Sequence, residues 1–436
     1  MEEFDSSDGR LPDGWRPVLG SWRVEDDALV GDSLDGEAVI TFGDPAWQNC
    51  EIEVSVAFLE VKNDSRWASI VFRALPDGSP PWFQFPLRQK STAAGGVEFA
   101  VRLDEGWSVR QRGSDATDCE LGRPRRLRVV VSGTVVRGYL DGRPVIESPF
   151  CLERATGCVG LAASGCRAKF DDFSVRRLPD TLPVAVAPQP CDIVAHRGFS
   201  AIAPENTLAA IRKGIGAGAD ACEFDVRKSK DGVIVLLHDE TVDRTTNGAG
   251  KVADLTLADL RKLDAGSWKD ACYAGEPLPT LEEALALLAD CGGKAVIEIK
   301  VDGIAEEVLE AVRAADMLQR ASVIAFSQQA VQDIRRLEPE LPCGWLHGKS
   351  ASGDYQQRAA WIAEEAARCG TSLVDLNYNL LFPEVVAELR RRGLEVWTWT
   401  VNDPPVMQAL SAWGVKSITT DRPDEAVRAL GRAAPR

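Results

Sequence analysis

From Asp192 onward, strand-like and amphipathic helical runs alternate for roughly 240 residues, and a chain with that grammar has one main solution, a closed parallel barrel. The strand-like runs are, in order, DIVAHRG, ACEFDVR, VIVLLHD, KAVIEIK, SVIAFS, CGWLHG, SLVDLNYN, LEVWTWTV and KSITTD. Helical patterns such as NTLAAIRKGIGAG, LEEALALLADCG, IAEEVLEAVRAA and PEVVAELRRRG lie between them. Nine runs are one more than an eight-stranded barrel takes. The extra one is identified by its connection. Only KSKDG separates ACEFDVR from VIVLLHD, whereas a parallel crossover needs about a dozen residues or more. These two segments are therefore expected to pair antiparallel, with a turn near Asp231-Gly232 that brings His238 back roughly opposite Asp225.

The residues before this point follow a different grammar. SWRVEDDALVG, CEIEVSVAFLEV, ASIVFRAL, GVEFAVRL, RLRVVVSGTVVRGYLDG and FDDFSVRRL are short alternating segments separated by turn residues. They predict a two-sheet β-sandwich, with hairpin turns at Ser132-Gly133 and Asp141-Gly142. The run PDTLPVAVAPQP, rich in proline, suits an extended linker. The expected organisation is an all-β sandwich over 1–178, a linker over 179–190 and an α/β TIM barrel over 191–436. A chain of 436 residues is long enough for two such domains.

The net charge of −16 argues against nucleic acid or an anionic membrane as partner. It leaves room for an anionic substrate, because a local cationic site or a bound metal reverses the sign. No stretch is long and apolar enough to span a bilayer. The opening MEEFDSSDGR is acidic and has no apolar core, so it does not read as a secretory signal. The eleven cysteines are scattered without CxxC pairs, which suits reduced thiols and a cytoplasmic protein.

In a TIM barrel the chemistry collects at the C-terminal ends of the strands. Those ends carry His196-Arg197, then Glu223 and Asp225, then His238-Asp239, then Glu298 and Lys300, with Asn377, Trp399 and Asp421 further round. Glu223 and Asp225 are two apart on one strand and so share a face. Two carboxylates that close resist ionising together, and a divalent cation would remove the conflict. Glu298 on the next parallel strand offers a third oxygen. An all-carboxylate set favours a hard ion, Mg²⁺ or Ca²⁺, over zinc. The plain structural alternative is a pair of rim charges neutralised by Arg227 and Lys228.

Lys300 shares a face with Glu298 and could serve as a second cation for an anionic ligand, or simply pair with Glu298. Arg197 could place its fork on phosphate oxygens, or pair with an acidic neighbour. Two of the chain's three histidines, His196 and His238, fall beside this cluster. Two imidazoles around one anion site suit acid and base work in phosphodiester cleavage near neutral pH. His347 reads as structural. Asn206-Thr207 after Pro204-Glu205 reads as a helix start with Thr207 as its cap, and Glu205 as a residue that reaches the His196 region.

The pieces AHRG, PENT, CEFDV, KDGVIVLLHDETVDRTTNGAGKV, LPTLEEAL, IEIK, WTVN and TDRP occur in this order over essentially the whole second half. With them, the segment from Asp192 to about Leu430 resembles the glycerophosphodiester phosphodiesterases. The resemblance implies a TIM barrel, one divalent ion and two catalytic histidines, His196 and His238. It implies Glu223, Asp225 and Glu298 as metal ligands and Arg197 and Lys300 as phosphate contacts. Glu205, Asn206 and Trp399 are assigned to the pocket or its supporting residues. The region from Asp239 to about Pro279 looks like the family's small insertion. GVKSITTDRPD replaces the more usual run before the TD motif, so Lys416 and Ser417 are expected to alter the substrate pocket. The first half resembles concanavalin A-like sandwiches of the laminin G and 3-keto-disaccharide hydrolase type. Such modules often bind sugars, and Trp67, Trp82, Phe83 and Trp107 are the aromatic candidates, with core packing as the alternative for each.

The expected function is metal-dependent hydrolysis of glycerophosphodiesters, or of related sugar-phosphate diesters, to a phosphomonoester and an alcohol. The expected partner is a small phosphodiester, either plain or sugar-bearing. The competing readings are a lyase of the same barrel plan that stops at a cyclic phosphate, and a carbohydrate-binding protein whose barrel is a non-catalytic scaffold.

Overall fold

The computed structural model describes residues 11–91, 93, 95–113, 118–179, 190–349 and 352–432. The chain divides into two compact units, 1–182 and 183–436. Most of the expected linker, 180–189, lies outside the described residues.

Alternation builds the first unit. In Arg125–Ser132 and the first part of Cys50–Val61, through Val56, every second residue is buried, and Ile52, Val54, Val56, Leu127 and Val129 face a common core. Their sheet runs in the order Arg143–Ser148, Val135–Leu140, Arg125–Ser132, Cys50–Val61, Cys166–Arg177, Ala28–Asp32, Ser21–Glu25. A second sheet of seven strands shares that core: Trp15–Leu19, Glu37–Phe42, Cys158–Ser164, Trp67–Ala74, Trp82–Arg88, Glu98–Leu103 and Gly106–Arg112. This is the expected all-β sandwich of concanavalin A-like character. Its core centres on Phe72, whose ring stacks at 5.8 Å on Phe83 and 6.1 Å on Phe99.

Two local expectations change. The hairpin turn near Ser132 is made by Gly133 and Thr134, because Ser132 still pairs with Val135 and the left-handed backbone begins at Gly133, with φ of 56°. Asp141-Gly142 forms its turn as expected, with φ of 50° and 77°. Phe83 lies between the sheets, and Trp67 and Trp82 are buried edge-on against Trp107. Core packing therefore accounts for Phe83, whereas Trp67 and Trp82 belong to a separate cluster with Val39, Val71 and Ala162, against which Trp107 packs.

In the second unit the strands are β1 (Asp192–Ala195), β2 (Ala221–Lys228), β3 (Ile234–Leu236), β4 (Lys294–Ile299), β5 (Ala321–Ala325), β6 (Cys343–His347), β7 (Leu373–Asn377), β8 (Glu395–Trp399) and β9 (Ser417–Thr420). They are hydrogen-bonded in the order β1-β9-β8-β7-β6-β5-β4-β2-β3, and β1 closes on β2. Eight strands form the parallel ring. The ninth, β3, is the antiparallel hairpin partner of β2, with Val226 opposite Leu236. The Leu237 amide donates to the Asp225 carbonyl, so His238 emerges one residue beyond Asp225.

Helices start where short polar side chains cap their free amides. Thr207 accepts from the Ala210 amide, and Thr280 forms a capping box with Glu283. Inside the ring, Val194, Ala221, Val296, Ile324, Leu346, Leu373 and Trp397 form one apolar cluster, so the barrel is a packed core below its rim. A separate cluster of Val235, Leu237, Val242, Val252, Leu260 and Leu278 anchors the insertion onto the β3 hairpin.

Phe72→Ala removes the centre of the stacked aromatic core and should destabilise the sandwich by about 3–5 kcal/mol. Urea unfolding followed by tryptophan fluorescence measures it; a change under about 1 kcal/mol would contradict this packing account.

Candidate functional site

The rim of the ring gathers the charged side chains. The His196 amide continues the β1 ladder by donating to the Thr420 carbonyl at 2.8 Å. The chain then reverses through Arg197 and Gly198, with φ of 54° and 80°. A side chain at Gly198 would bring its Cβ to 2.4 Å from the Ala210 carbonyl carbon, so both the backbone shape and the space require glycine there. This turn points the Arg197 amide at Glu223 Oε2, at 2.9 Å.

Glu223, Asp225 and Glu298 converge as β2 and β4 run parallel, with Asp225 beside Glu298 in register. One carboxylate oxygen from each lies within 4.8 Å of the others, and all three residues are buried. Burial pushes the Glu223 carboxyl well above its ordinary range, and the neighbouring Asp225 and Glu298 add to this. Burial and Asp225 raise Glu298 to about 7. Burial also raises Asp225, but Lys300 and Arg197 outweigh it and hold Asp225 at about 2. Lys300 Nζ lies 2.9 Å from Asp225 Oδ1 and also pairs with Glu298. Arg197 Nε lies 3.2 Å from Asp225 Oδ2. Glu223 Oε1 is buried without a hydrogen-bond partner. Three mutually repelling carboxylates and an orphaned buried oxygen fit a hard divalent cation and are costly without one.

Both expected histidines stand at this cluster, and each is oriented the same way. His196 Nδ1 lies 2.6 Å from Asp421 Oδ1, which leaves Nε2 turned toward the carboxylates, 4.0 Å from Glu223 Oε2. His238 Nδ1 lies 2.6 Å from Asp239 Oδ1. A carboxylate at Nδ1 fixes the ring and its tautomer, so Nε2 is the nitrogen that meets a ligand. Burial lowers the His238 pKa, against the pull of Asp225 and Asp239. Arg227 does not neutralise the carboxylates; it donates twice to the His238 carbonyl, at 3.0 and 2.8 Å, and Lys228 pairs with Glu307.

The supporting residues sort themselves by contact. Asn206 donates to Asp225 Oδ2 at 2.7 Å and accepts from the Asp225 amide at 3.1 Å. Glu205 pairs with Arg197 at 2.7 Å. Trp399 stands at the end of β8 with its ring edge-on to Phe326 at 5.6 Å. Three residues stand apart from the cluster. His347 packs between Trp345 and Trp361 and bonds the Lys349 carbonyl at 2.7 Å, matching its structural reading. Lys416 and Ser417 sit at the start of β9, where Lys416 pairs with Asp192 at the start of β1. A strand's first and last residues face opposite ends of the barrel, so the expected effect of Lys416 and Ser417 on the pocket is withdrawn.

Sequence reasoning left four participants without a role. Asp421 holds His196 and itself accepts from Ser200 Oγ at 2.9 Å and Asn402 Nδ2 at 2.6 Å. Asp239 holds His238, and Arg244 links Asp239 to Glu205. Asp375, on β7, is a further buried carboxyl, raised by burial and by Glu298. The TD and HD doublets at strand ends were the available signal for Asp421 and Asp239.

The Glycerophosphoryl diester phosphodiesterase family matches residues 196–425. A glycerophosphodiester phosphodiesterase of Caldanaerobacter subterraneus is 36% identical over 237 residues, covering 53% of this chain and 94% of that protein. One from Bacillus subtilis is 34% identical over 253 residues, covering 53% of this chain and 83% of that one. Among solved structures, a glycerophosphoryl diester phosphodiesterase homologue from Silicibacter pomeroyi aligns with a TM-score of 0.50 at 29% identity, over 55% of this chain and 93% of that one.

The raised Glu298 carboxyl sets a pH dependence. The folded protein keeps a proton that the unfolded chain releases above its ordinary 4.5, so this contribution is complete below 4.5 and is lost as pH rises through about 7. In the presence of chelator, the barrel's thermal midpoint should fall between pH 5 and 7, and Glu298→Gln should flatten that slope. Scanning calorimetry checks it; an unchanged slope in the Gln variant would contradict the assignment.

Proposed function

Because the chain belongs to the glycerophosphoryl diester phosphodiesterase family, we propose that it hydrolyses glycerophosphodiesters to glycerol phosphate and an alcohol by metal-assisted, two-histidine catalysis. The observation that carries this reading is the pairing of two imidazoles, each held through Nδ1 by a carboxylate, around one buried nest of three carboxylates.

Glu223, Asp225 and Glu298 would hold one divalent ion, Mg²⁺ or Ca²⁺, whose chemistry at this position is to oppose negative charge on the phosphate oxygens. Arg197 and Lys300 add fixed positive charge beside the same place, and burial strengthens it. Their pKa values are both raised, against burial, by Asp225 and its acidic neighbours, so both remain cationic at any working pH. One histidine Nε2 takes the proton of the attacking hydroxyl, and the other gives a proton to the departing alkoxide. The attacking hydroxyl is water or the substrate's own neighbouring hydroxyl. Asp421 and Asp239 stabilise whichever imidazole is charged at each stage. The chain's overall negative charge need not repel the diester from this site, because a divalent ion together with Arg197 and Lys300 would outweigh the three carboxylates locally.

The test is a screen of glycerophosphodiesters with the full chain, Mg²⁺ or Ca²⁺, and phosphorus NMR of the products. His196→Ala and His238→Ala should each lower kcat by about 10²–10⁴-fold. Near-full activity in either variant would contradict the role given to that residue. A cyclic phosphate as the final product would turn the reaction from hydrolysis to a lyase.

A further inference from the structure

We propose that Arg244, in the insertion after β3, is a positioning residue that locks His238 and Arg197 into one fixed relation. Its guanidinium spans two carboxylates. Nε lies 2.5 Å from Asp239 Oδ2, while Nη2 and Nη1 lie 2.8 and 3.0 Å from Glu205 Oε1 and Oε2. Each carboxylate holds a member of the site with its other contact. Asp239 Oδ1 meets His238 Nδ1 at 2.6 Å, and Glu205 Oε1 meets Arg197 Nη1 at 2.7 Å. The result is one uninterrupted chain of five charged or ionisable groups, running from an imidazole on one side of the carboxylate nest to the guanidinium that borders it.

Two features make this a strut rather than an incidental surface pair. The guanidinium is a rigid planar fork, so engaging it on both edges fixes the two carboxylates relative to each other, which a lysine's single point charge cannot do. Its backbone is also anchored: Val242 is fully buried in the insertion's apolar cluster, and Thr246 Oγ donates back to the Val242 carbonyl at 2.7 Å. Among the described residues the other histidine has no such link, because Asp421 takes neutral donors from Ser200 and Asn402. The Arg244 side chain is 46% exposed. Its own head group is half in solvent, and Glu205 keeps Arg197 as a partner when Arg244 is removed, so the strut's effect should fall on geometry more than on folding.

This inference rests on the proposed roles of His238 and Arg197. The experiment therefore carries one readout of activity and one that is independent of it. Arg244→Met should leave the thermal midpoint nearly unchanged and lower kcat by about 10- to 100-fold, the cost of a misplaced catalytic group. Arg244→Lys should recover only part of that loss. Methylguanidinium should raise the rate of Arg244→Ala saturably, since the site is open to solvent. Ring ¹⁵N–¹H spectra give the second readout, because the chain has only three histidines. The His238 resonances should shift or broaden in Arg244→Met while those of His196 and His347 hold. Unchanged His238 resonances, or a kcat within two-fold of the parent, would overturn the proposal. If Arg244→Met fails to fold, Arg244→Lys carries both readouts. A parent protein inactive on every diester would count against the proposed function and leave the spectral test of the strut standing.

Discussion

Like charges forced together in a dry place are the constraint on which this molecule depends. Ring closure sets β2 beside β4, and the period of two along β2 then puts Glu223, Asp225 and Glu298 within reach of one another. Nothing in the apolar layer below offers them a partner. Lys300 and Arg197 offset part of the repulsion, yet Glu223 Oε1 stays unpaired. Such an arrangement is costly as structure alone. It becomes favourable when a cation occupies the nest, which is why the cluster is better explained by chemistry than by folding.

Around the nest the protein repeats one device. Each histidine receives a carboxylate at Nδ1, which leaves Nε2 as the nitrogen to meet a ligand. Neither carboxylate is free to drift: one is tied by a serine and an asparagine, the other by an arginine. The insertion between β3 and β4 thereby does more than fill space. Its apolar cluster grips the hairpin that delivers His238 and carries the arginine that reaches back to the loop after β1.

Much of this was legible in the sequence because periodicity is a local property. The nine strand runs, the antiparallel hairpin and the shared face of Glu223 and Asp225 follow from spacing alone. Other features needed three dimensions. Cys158–Ser164 is buried at every position, so it lacks the alternation that marks Arg125–Ser132. The His196–Asp421 contact joins residues 225 apart in sequence, and no local pattern announces a partner at that distance. Arg244 and Glu205 are 39 residues apart in sequence, so their pairing is set by the fold and not by any local pattern. Lys416 and Ser417 open the run KSITTD, so their departure from the family's pattern falls at the start of the strand and not at the pocket. The strand starts at Ser417, which sends both residues to the far end of the barrel.

Calorimetric titration of divalent cation into the chelator-treated chain tests the central claim most directly. The account predicts one ion bound per chain, with proton release near neutral pH as the raised Glu223 and Glu298 carboxyls ionise, and no binding once Asp225 is replaced by Asn. Undiminished binding in the Asp225→Asn variant, or none in the parent, would contradict it.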